Sequence, residues 1–318
     1  MTTDVWFRCN NSGLGDRLLD TIGFYVLCKF LHYEPYLKLN CAGVPQWGNY
    51  DERLFIFTGL HTTQSQSQLY IHSPNSSASL SPYKVYEHVK KFVPHAKFEE
   101  IAAEFSSAAK QIIKPSELIS GRIPLRIETA YGVHLRKSDK VSETGNPHLC
   151  TKTDFQLIYS KLIDTIVEIV MTEDKPTFFV VSEDKAWRQE VQDLIVNKIV
   201  VPNSNKATVL KPDYTNAGYE NFESVLDTFC LSKCKTILQG VNFSAFSTVA
   251  ALLGSNKLVN YSHHLNRYRY TNCMIHLWTS VLEINSAAKS YDKAAHQRIC
   301  ASAKNLTTNI TATVPTAD

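Results

Sequence analysis

The order of apolar and polar positions divides the chain into two stretches of strand-and-helix character. The first opens on the strand-like run Val5-Trp6-Phe7-Arg8, turns through a polar, glycine-bearing segment at residues 10–15, and continues as an apolar-periodic helix from about Asp16 to Leu31. Further strands are predicted at Tyr36-Leu37-Lys38-Leu39 and Leu69-Tyr70-Ile71-His72, and a helix over Phe98–Ile112. The Ser/Gln-rich residues between Thr62 and Ser81 read as loop or lid around the second of these strands. A turn-rich passage, residues 114–124, closes this unit, so a first domain is placed at residues 1–120.

From residue 121 the alternation is clearer. Ala130–Leu135 predicts a strand, Thr153–Met171 a helix capped by Thr153 or Asp154, and Thr177–Val181 a strand buried on both faces. The pattern then repeats: a helix near Lys185–Val196 leads to Ile199-Val200-Val201, a helix at Asn221–Ser232 to Thr236–Gln239, and a helix at Phe246–Leu253 to Leu258-Val259-Asn260. Strands alternating with helices make a parallel sheet with helices on both sides, and two such units make a two-lobed α/β protein. The second lobe is placed at residues 121–284. An amphipathic helix over Asn285–Ala303 within the remainder, 285–318, is expected to pack back across the lobes before a frayed Thr-rich tail.

Composition narrows the function classes. The 318 residues carry 33 Lys+Arg against 30 Asp+Glu, a formal net charge of +3, too little to draw the chain to nucleic acid or an anionic membrane, so an anionic ligand must be held by a few placed cations. The start of the chain lacks a basic n-region and an apolar h-region, and Ile22–Cys28 is interrupted by Lys29 far short of the length of a membrane span. A cytoplasmic location is the expectation. The 8 cysteines show no C-x-x-C pair; Cys230 and Cys234 share a helix face without further ligands nearby and read as small buried apolar residues, so no metal site is assigned.

In open parallel sheets ligands bind beyond the carboxyl ends of the strands, and those positions are polar here. His134 and Arg136, with Lys137, Ser138, Asp139, Lys140 and Glu143 close behind, end the Ala130 strand; alternation puts His134 and Arg136 on one side. An arginine fork at a strand end suits a diphosphate, with Lys140 adding charge and Asp139 bracing the fork; a self-paired, solvated charge cluster is the competing reading. Asn242-Phe243-Ser244-Ala245-Phe246-Ser247 opens a helix after the Thr236 strand, where hydroxyls and backbone N–H groups bind phosphate, or where Ser244 or Ser247 is a plain N-cap. The turn Asn11-Ser12-Gly13-Leu14-Gly15-Asp16-Arg17 fails the G-x-G-x-x-G pattern because Leu18 stands at the third glycine; it lets backbone approach a ligand or is a structural turn. Glu183 and Asp184 end the Thr177 strand, as site carboxylates or as acids of a helix first turn; Asp227 lies within a helix, as a site residue or on its solvated face. No Asp-x-Asp occurs, which disfavours a manganese-dependent nucleotide-sugar enzyme.

Gly132-Val133-His134-Leu135-Arg136-Lys137-Ser138-Asp139-Lys140 resembles the G-V-H-x-R-[RK]-[ST]-D-K motif of GDP-fucose-dependent fucosyltransferases, above all the alpha-1,6 and nodulation-factor enzymes. Leu226–Cys234 followed by Ser244–Leu253 is similar to a second segment of that family, and Phe178–Asp184 to its strand ending in an acidic pair. The resemblance implies a GT-B-like fold of two Rossmann-like lobes with a ligand cleft, and an inverting, metal-independent transferase that moves fucose from GDP-fucose to a glycan acceptor without a cofactor. It implies that Arg136 grips the β-phosphate, His134 lies beside the nucleotide or fucose, Asp227 reads the guanine edge, Ser244 with Ala245 and Phe246 meets phosphate, and Gly13, Leu14, Gly15 and Arg17 close over the diphosphate. Glu143, then Asp139 or Glu183, is the candidate base, with Glu183 and Asp184 beside the acceptor or behind the site. The family acid follows D-K by one residue more than Glu143 does, Lys235 stands where an aspartate is usual, and Thr248 where an arginine is usual. A transferase for GDP-mannose or another deoxyhexose or pentose donor, and a binding protein without turnover, are the alternatives. Residues 44–51, with Trp47 and Tyr50, and 62–81 are the candidate acceptor loops, their aromatics there to stack on a sugar or simply to pack.

Overall fold

The computed structural model describes residues 3–9, 12–39, 50–62, 69–72, 80–137, 141, 150–199, 206–215, 218–254 and 256–261. The expected helix at Asn285–Ala303, most of the Ser/Gln-rich segment and most of the loop after Arg136 lie outside them.

The first unit is built around β1 (Thr3–Arg8), which pairs in parallel with β2 (Tyr33–Lys38) on one side and β4 (Leu69–His72) on the other. Between β1 and β2 runs α1 (Leu14–Leu31), whose apolar residues occupy more than one stripe: Leu18, Leu19, Ile22, Phe24, Val26 and Leu27 are all buried. A helix apolar on several sides needs several partners, and α1 packs against α2 (Pro82–Phe92), α3 (Phe98–Ile112) and α8 (Ala245–Gly254). Phe24 stacks on Phe7 of β1 at 4.9 Å between ring centroids. A short antiparallel pair, β3 (Phe55–Phe57) with β5 (Ile113–Pro115), and the single turn α4 (Glu117–Ser120) complete this part.

The second unit is a 5-stranded parallel sheet of β6 (Ala130–Leu135), β7 (Thr177–Ser182), β8 (Thr208–Leu210), β9 (Thr236–Gln239) and β10 (Lys257–Asn260), in the order β10-β9-β6-β7-β8. Side chains alternate across it. Phe178 and Val180 join Val133, Leu135 and Leu238 under α5 (Lys152–Thr172) and α6 (Lys185–Asp193), whereas Phe179, Val181 and Ile237 face α7 (Phe222–Lys233) and α8. Both faces are covered, which is why β7 reads as an unbroken apolar run. The layer of α7 and α8 belongs to the same apolar core as α1 and α3.

Some sequence expectations are corrected. The strand that pairs with the outer side of β7 is Thr208–Leu210, which the sequence pattern did not mark; α6 continues through a π-turn at Leu194–Lys198 that keeps Ile195 in the core with Ile199 packed against it, and of the expected strand Ile199–Val201 residues 200 and 201 lie outside the described residues. The cap of α5 is Thr151, whose hydroxyl accepts the Asp154 N–H at 3.1 Å, not Thr153 or Asp154. Helix α2 begins directly after the Ser/Gln-rich stretch, over residues for which the sequence pattern predicted no element; Pro82 sits at its opening turn, where the missing N–H is harmless.

Candidate functional site

The strand orders locate the site before any side chain is considered. In the large sheet the order reverses between β6 and β9, and in the small sheet the chain leaves the central strand β1 with neighbours on either side. The crevice beyond the carboxyl ends at such a switch point is where doubly wound sheets take ligands. His134 is the last residue but one of β6 and Arg136 lies just beyond the strand, with the loop 240–244 beyond β9 and the glycine turn beyond β1.

The loop after β9 is pinned from several sides. The Gly240 N–H donates to the His134 carbonyl at 2.8 Å, Gln239 Nε2 to the Val241 carbonyl at 3.3 Å, and Asn260 Nδ2 to the Asn242 carbonyl at 2.8 Å. Ser247 Oγ donates to Gln239 Oε1 at 3.1 Å, so this hydroxyl ties α8 to the strand. Ser244 is buried, and its Oγ accepts the Phe246 N–H at 3.3 Å. The Phe246 ring lies 5.2 Å from the His134 imidazole, so strand end and helix start meet through these rings.

The glycine turn arrives at the same place. A β-carbon added to Gly15 would stand 2.4 Å from the Phe246 nitrogen and 2.5 Å from the Ala245 carbonyl carbon, so the first turn of α1 touches the first turn of α8 backbone to backbone. Only glycine permits that approach. Two helix N-termini, each with a partial positive charge and N–H groups outside the intrahelical ladder, are thereby brought side by side, an arrangement that favours an anion with several oxygens. In sequence these turns are 230 residues apart and neither is decisive alone.

Cations flank the junction. Arg17 is 1% exposed; its Nε donates to the Ser12 carbonyl at 2.8 Å and its guanidinium lies 5.0 Å from the Tyr50 ring centroid. Tyr50 is therefore a buried partner of Arg17 rather than an open stacking platform, and its phenol oxygen accepts the Leu14 N–H. Burial pushes the Tyr50 phenol above its usual range, while the nearby charges of Arg17 and Arg136 pull it back. Arg136, from the second unit, and Arg17, from the first, thus both act on this phenol. Arg136 Nε lies 3.7 Å from Glu183 Oε2, and Glu183 Oε1 accepts the Lys137 N–H at 3.0 Å. Asp184 caps α6, its carboxylate accepting the Ala186 and Trp187 N–H groups at 2.9 and 3.0 Å. Asp139, Lys140 and Glu143 lie outside the described residues.

Asp227 sits in the second turn of α7, with 6% of its surface exposed, and not on a solvated helix face. Its Oδ1 accepts the Tyr214 hydroxyl at 2.6 Å, and Arg188 Nη1 lies 3.4 Å from that hydroxyl oxygen. Burial pushes the Asp227 carboxyl up to about 7, assisted by Glu223 and opposed by the Tyr214 hydrogen bond and the Arg188 charge. Its folded-state value exceeds the unfolded one, so the folded chain binds the extra proton between about pH 4 and 7, and this carboxyl's contribution to stability is lost as pH rises through that window. Asp227→Asn is expected to remove a slope on the order of 1 kcal/mol per pH unit. Urea unfolding of both chains from pH 5 to 8 checks this, the variant gaining on the wild type as pH rises.

Two positions that depart from the fucosyltransferase pattern are placed by the structure. Lys235 precedes β9 at the amino edge of the sheet, opposite the site; its N–H donates to the Ala130 carbonyl at 2.9 Å and its ammonium pairs with Glu173 at 3.0 Å over the Tyr131 ring. Thr248 gives its hydroxyl to the Ser244 carbonyl at 2.8 Å, within its own helix. Tyr214 and Arg188 were not singled out in the sequence, where neither sits in a motif.

Cys9, Cys28, Cys150, Cys230 and Cys234 are buried thiols outside any disulfide, and burial pushes the Cys28, Cys230 and Cys234 thiols upward. No cluster of metal-ligating side chains is found among the described residues, and none of their helices is long and apolar enough to cross a membrane.

No family model and no curated protein matches the chain. Among solved structures it is similar to a mutant Arabidopsis thaliana FUT1 in complex with GDP, at TM-score 0.48 and 10% identity over 81% of this chain and 70% of that one. It is also similar to NodZ alpha-1,6-fucosyltransferase co-crystallized with GDP, at TM-score 0.47 and 13% identity over 80% and 93%, and to POFUT1 in complex with GDP, at TM-score 0.47 and 11% identity over 80% and 95% of the two chains.

Proposed function

We propose that the chain is a glycosyltransferase of GT-B type that transfers L-fucose from GDP-fucose to a hydroxyl of a glycan, with inversion and without a metal. The observation that carries this reading is the junction of the α1 and α8 starts at Gly15, with Arg136 and His134 at the adjoining strand end. The fucosyltransferase-like motif at residues 132–140 begins in β6, whose carboxyl end is on the same edge. Displacement at the anomeric carbon leaves the bonding pair on the departing diphosphate, whose terminal phosphate goes from one negative charge to two. Helix starts and an arginine fork placed in advance stabilise that growing charge without reorganising, where electrostatic help is largest.

Within this reading Arg136 binds the β-phosphate, the N–H groups of the two helix starts take phosphate oxygens, and His134 lines the nucleotide-sugar pocket. Asp227 accepts the guanine edge, because a buried carboxylate is matched by two adjacent N–H donors. Glu183 is engaged by Arg136 and the Lys137 N–H, so the proton of the acceptor hydroxyl is assigned to Glu143, with Asp139 behind it. With Lys235 on the far edge of the sheet and Thr248 bonded into its own helix, neither supports a donor other than GDP-fucose.

The test is release of GDP from GDP-fucose in the presence of a panel of glycan acceptors, with GDP-mannose as the competing donor and EDTA added in a parallel series. Acceptor-dependent release from GDP-fucose, unchanged by EDTA, is expected. Release from GDP-mannose alone, or from neither donor, contradicts it.

A further inference from the structure

Asp227 is covered by Tyr214, and Tyr214 is held by contacts from outside its own segment. It lies in residues 211–215, outside any helix or strand. The Arg188 guanidinium stacks 5.3 Å from its ring centroid. Next to it Arg122, from the residues that join the two sheets, reaches Asp213 at 3.5 Å and hydrogen-bonds to the Thr215 carbonyl, while its guanidinium packs 5.1 Å from the ring centroid of Phe222 at the start of α7. The segment is thus latched over Asp227 by an arginine on each side. A ligand group that takes the Asp227 carboxylate has to displace the Tyr214 hydroxyl first.

We propose that Tyr214 is an internal competitor for Asp227: its hydroxyl occupies the carboxylate until a base edge with two adjacent N–H donors displaces it, and so lowers the affinity of the site for its own ligand. The inference rests on the nucleotide-diphosphate reading above and adds to it a cost that the base must meet on binding. Displacing Tyr214 gives up a short hydrogen bond to a buried carboxylate. A guanine edge, with its ring N–H and exocyclic amine side by side, returns two. A uracil edge returns one N–H flanked by carbonyl oxygens that face the carboxylate, and an adenine edge returns one amine beside a ring acceptor. Those bases at best break even against the hydroxyl and bring an unmatched acceptor to a buried acid; Asp227 thus discriminates among bases, and Tyr214 sets the cost of reaching it.

Calorimetric titration of inorganic pyrophosphate, GDP, UDP and ADP into the full chain and into Tyr214→Phe separates the possibilities. In the wild type GDP is expected to bind at least tenfold more tightly than UDP or ADP. In Tyr214→Phe the competitor is gone while the ring remains for Arg188, so GDP is expected to tighten about tenfold and pyrophosphate not at all. Tyr214→Leu, checked for folding by its thermal melt, is expected to move GDP in the same direction. Unchanged or weaker GDP binding in both variants, with pyrophosphate still bound, overturns the role of Tyr214 alone. A wild-type chain that binds neither pyrophosphate nor GDP overturns the diphosphate reading and this inference with it.

Discussion

Alanine at position 15 is expected to destabilise the chain by about 3 kcal/mol or more and to remove its affinity for a diphosphate, although the change adds one methyl group. The added carbon would lie 2.4–2.5 Å from backbone atoms of Phe246 and Ala245, and backbone in a helix start has nowhere to rotate. The helices α1 and α8 must separate, which opens the apolar core to which both contribute and pulls apart the two helix starts. Gly13→Ala is the matched control. A β-carbon there meets nothing within 4 Å and the residue already has φ −64, so its cost is limited to the poorer helix-capping preference of alanine, no more than about 1 kcal/mol. Urea midpoints of the two variants, with pyrophosphate titrations on each, check the pair. Equal stabilities would mean that the helix starts do not touch as described.

Arg136→Ala is expected to leave the fold intact and lower transfer about a thousandfold or more. Arg136 is partly exposed and its ion pair with Glu183 spans 3.7 Å, a contact worth little to stability. Its value lies in the transition state, where loss of a single preorganised donor to a developing oxyanion already costs 10² to 10³ in rate, about 3–4 kcal/mol, and a charged fork is the stronger donor. Arg136→Lys keeps the charge and loses the fork, so partial recovery is expected. Steady-state rates with a thermal melt of each variant decide the point; near wild-type turnover in Arg136→Ala would remove the arginine from the mechanism.

What was legible in the sequence followed from local order. Helix α3 begins and ends where the apolar period does, with Glu99 and Glu100 in its first turn and Lys110 in its last, and β7 is marked by its unbroken apolar run between a proline and an acidic pair. The edge strand was not legible. Ile199-Val200-Val201 has the stronger β-forming composition, but pairing with Thr177–Phe179 is made by Thr208–Leu210, a choice of tertiary register rather than of propensity. Polar residues at strand ends pointed to the carboxyl edge of the sheet, and His134, Arg136 and Ser244 stand there. Their juxtaposition with Gly15 was not readable, since each turn is unremarkable until the fold brings their backbones together. The partners Tyr50, Tyr214 and Arg188 share this property: each acts through a contact with a residue remote in sequence or on another element, and no spacing announces it. Asp184, by contrast, does what its position at the start of α6 suggests and caps the helix.

The most direct measurement is a crystal structure of the chain with GDP. The diphosphate is expected between the starts of α1 and α8, within hydrogen-bonding distance of backbone N–H groups of both helices and of Arg136, with the guanine edge on Asp227 and Tyr214 displaced from it. A diphosphate bound elsewhere, or contacted by only one of the two helix starts, would contradict it.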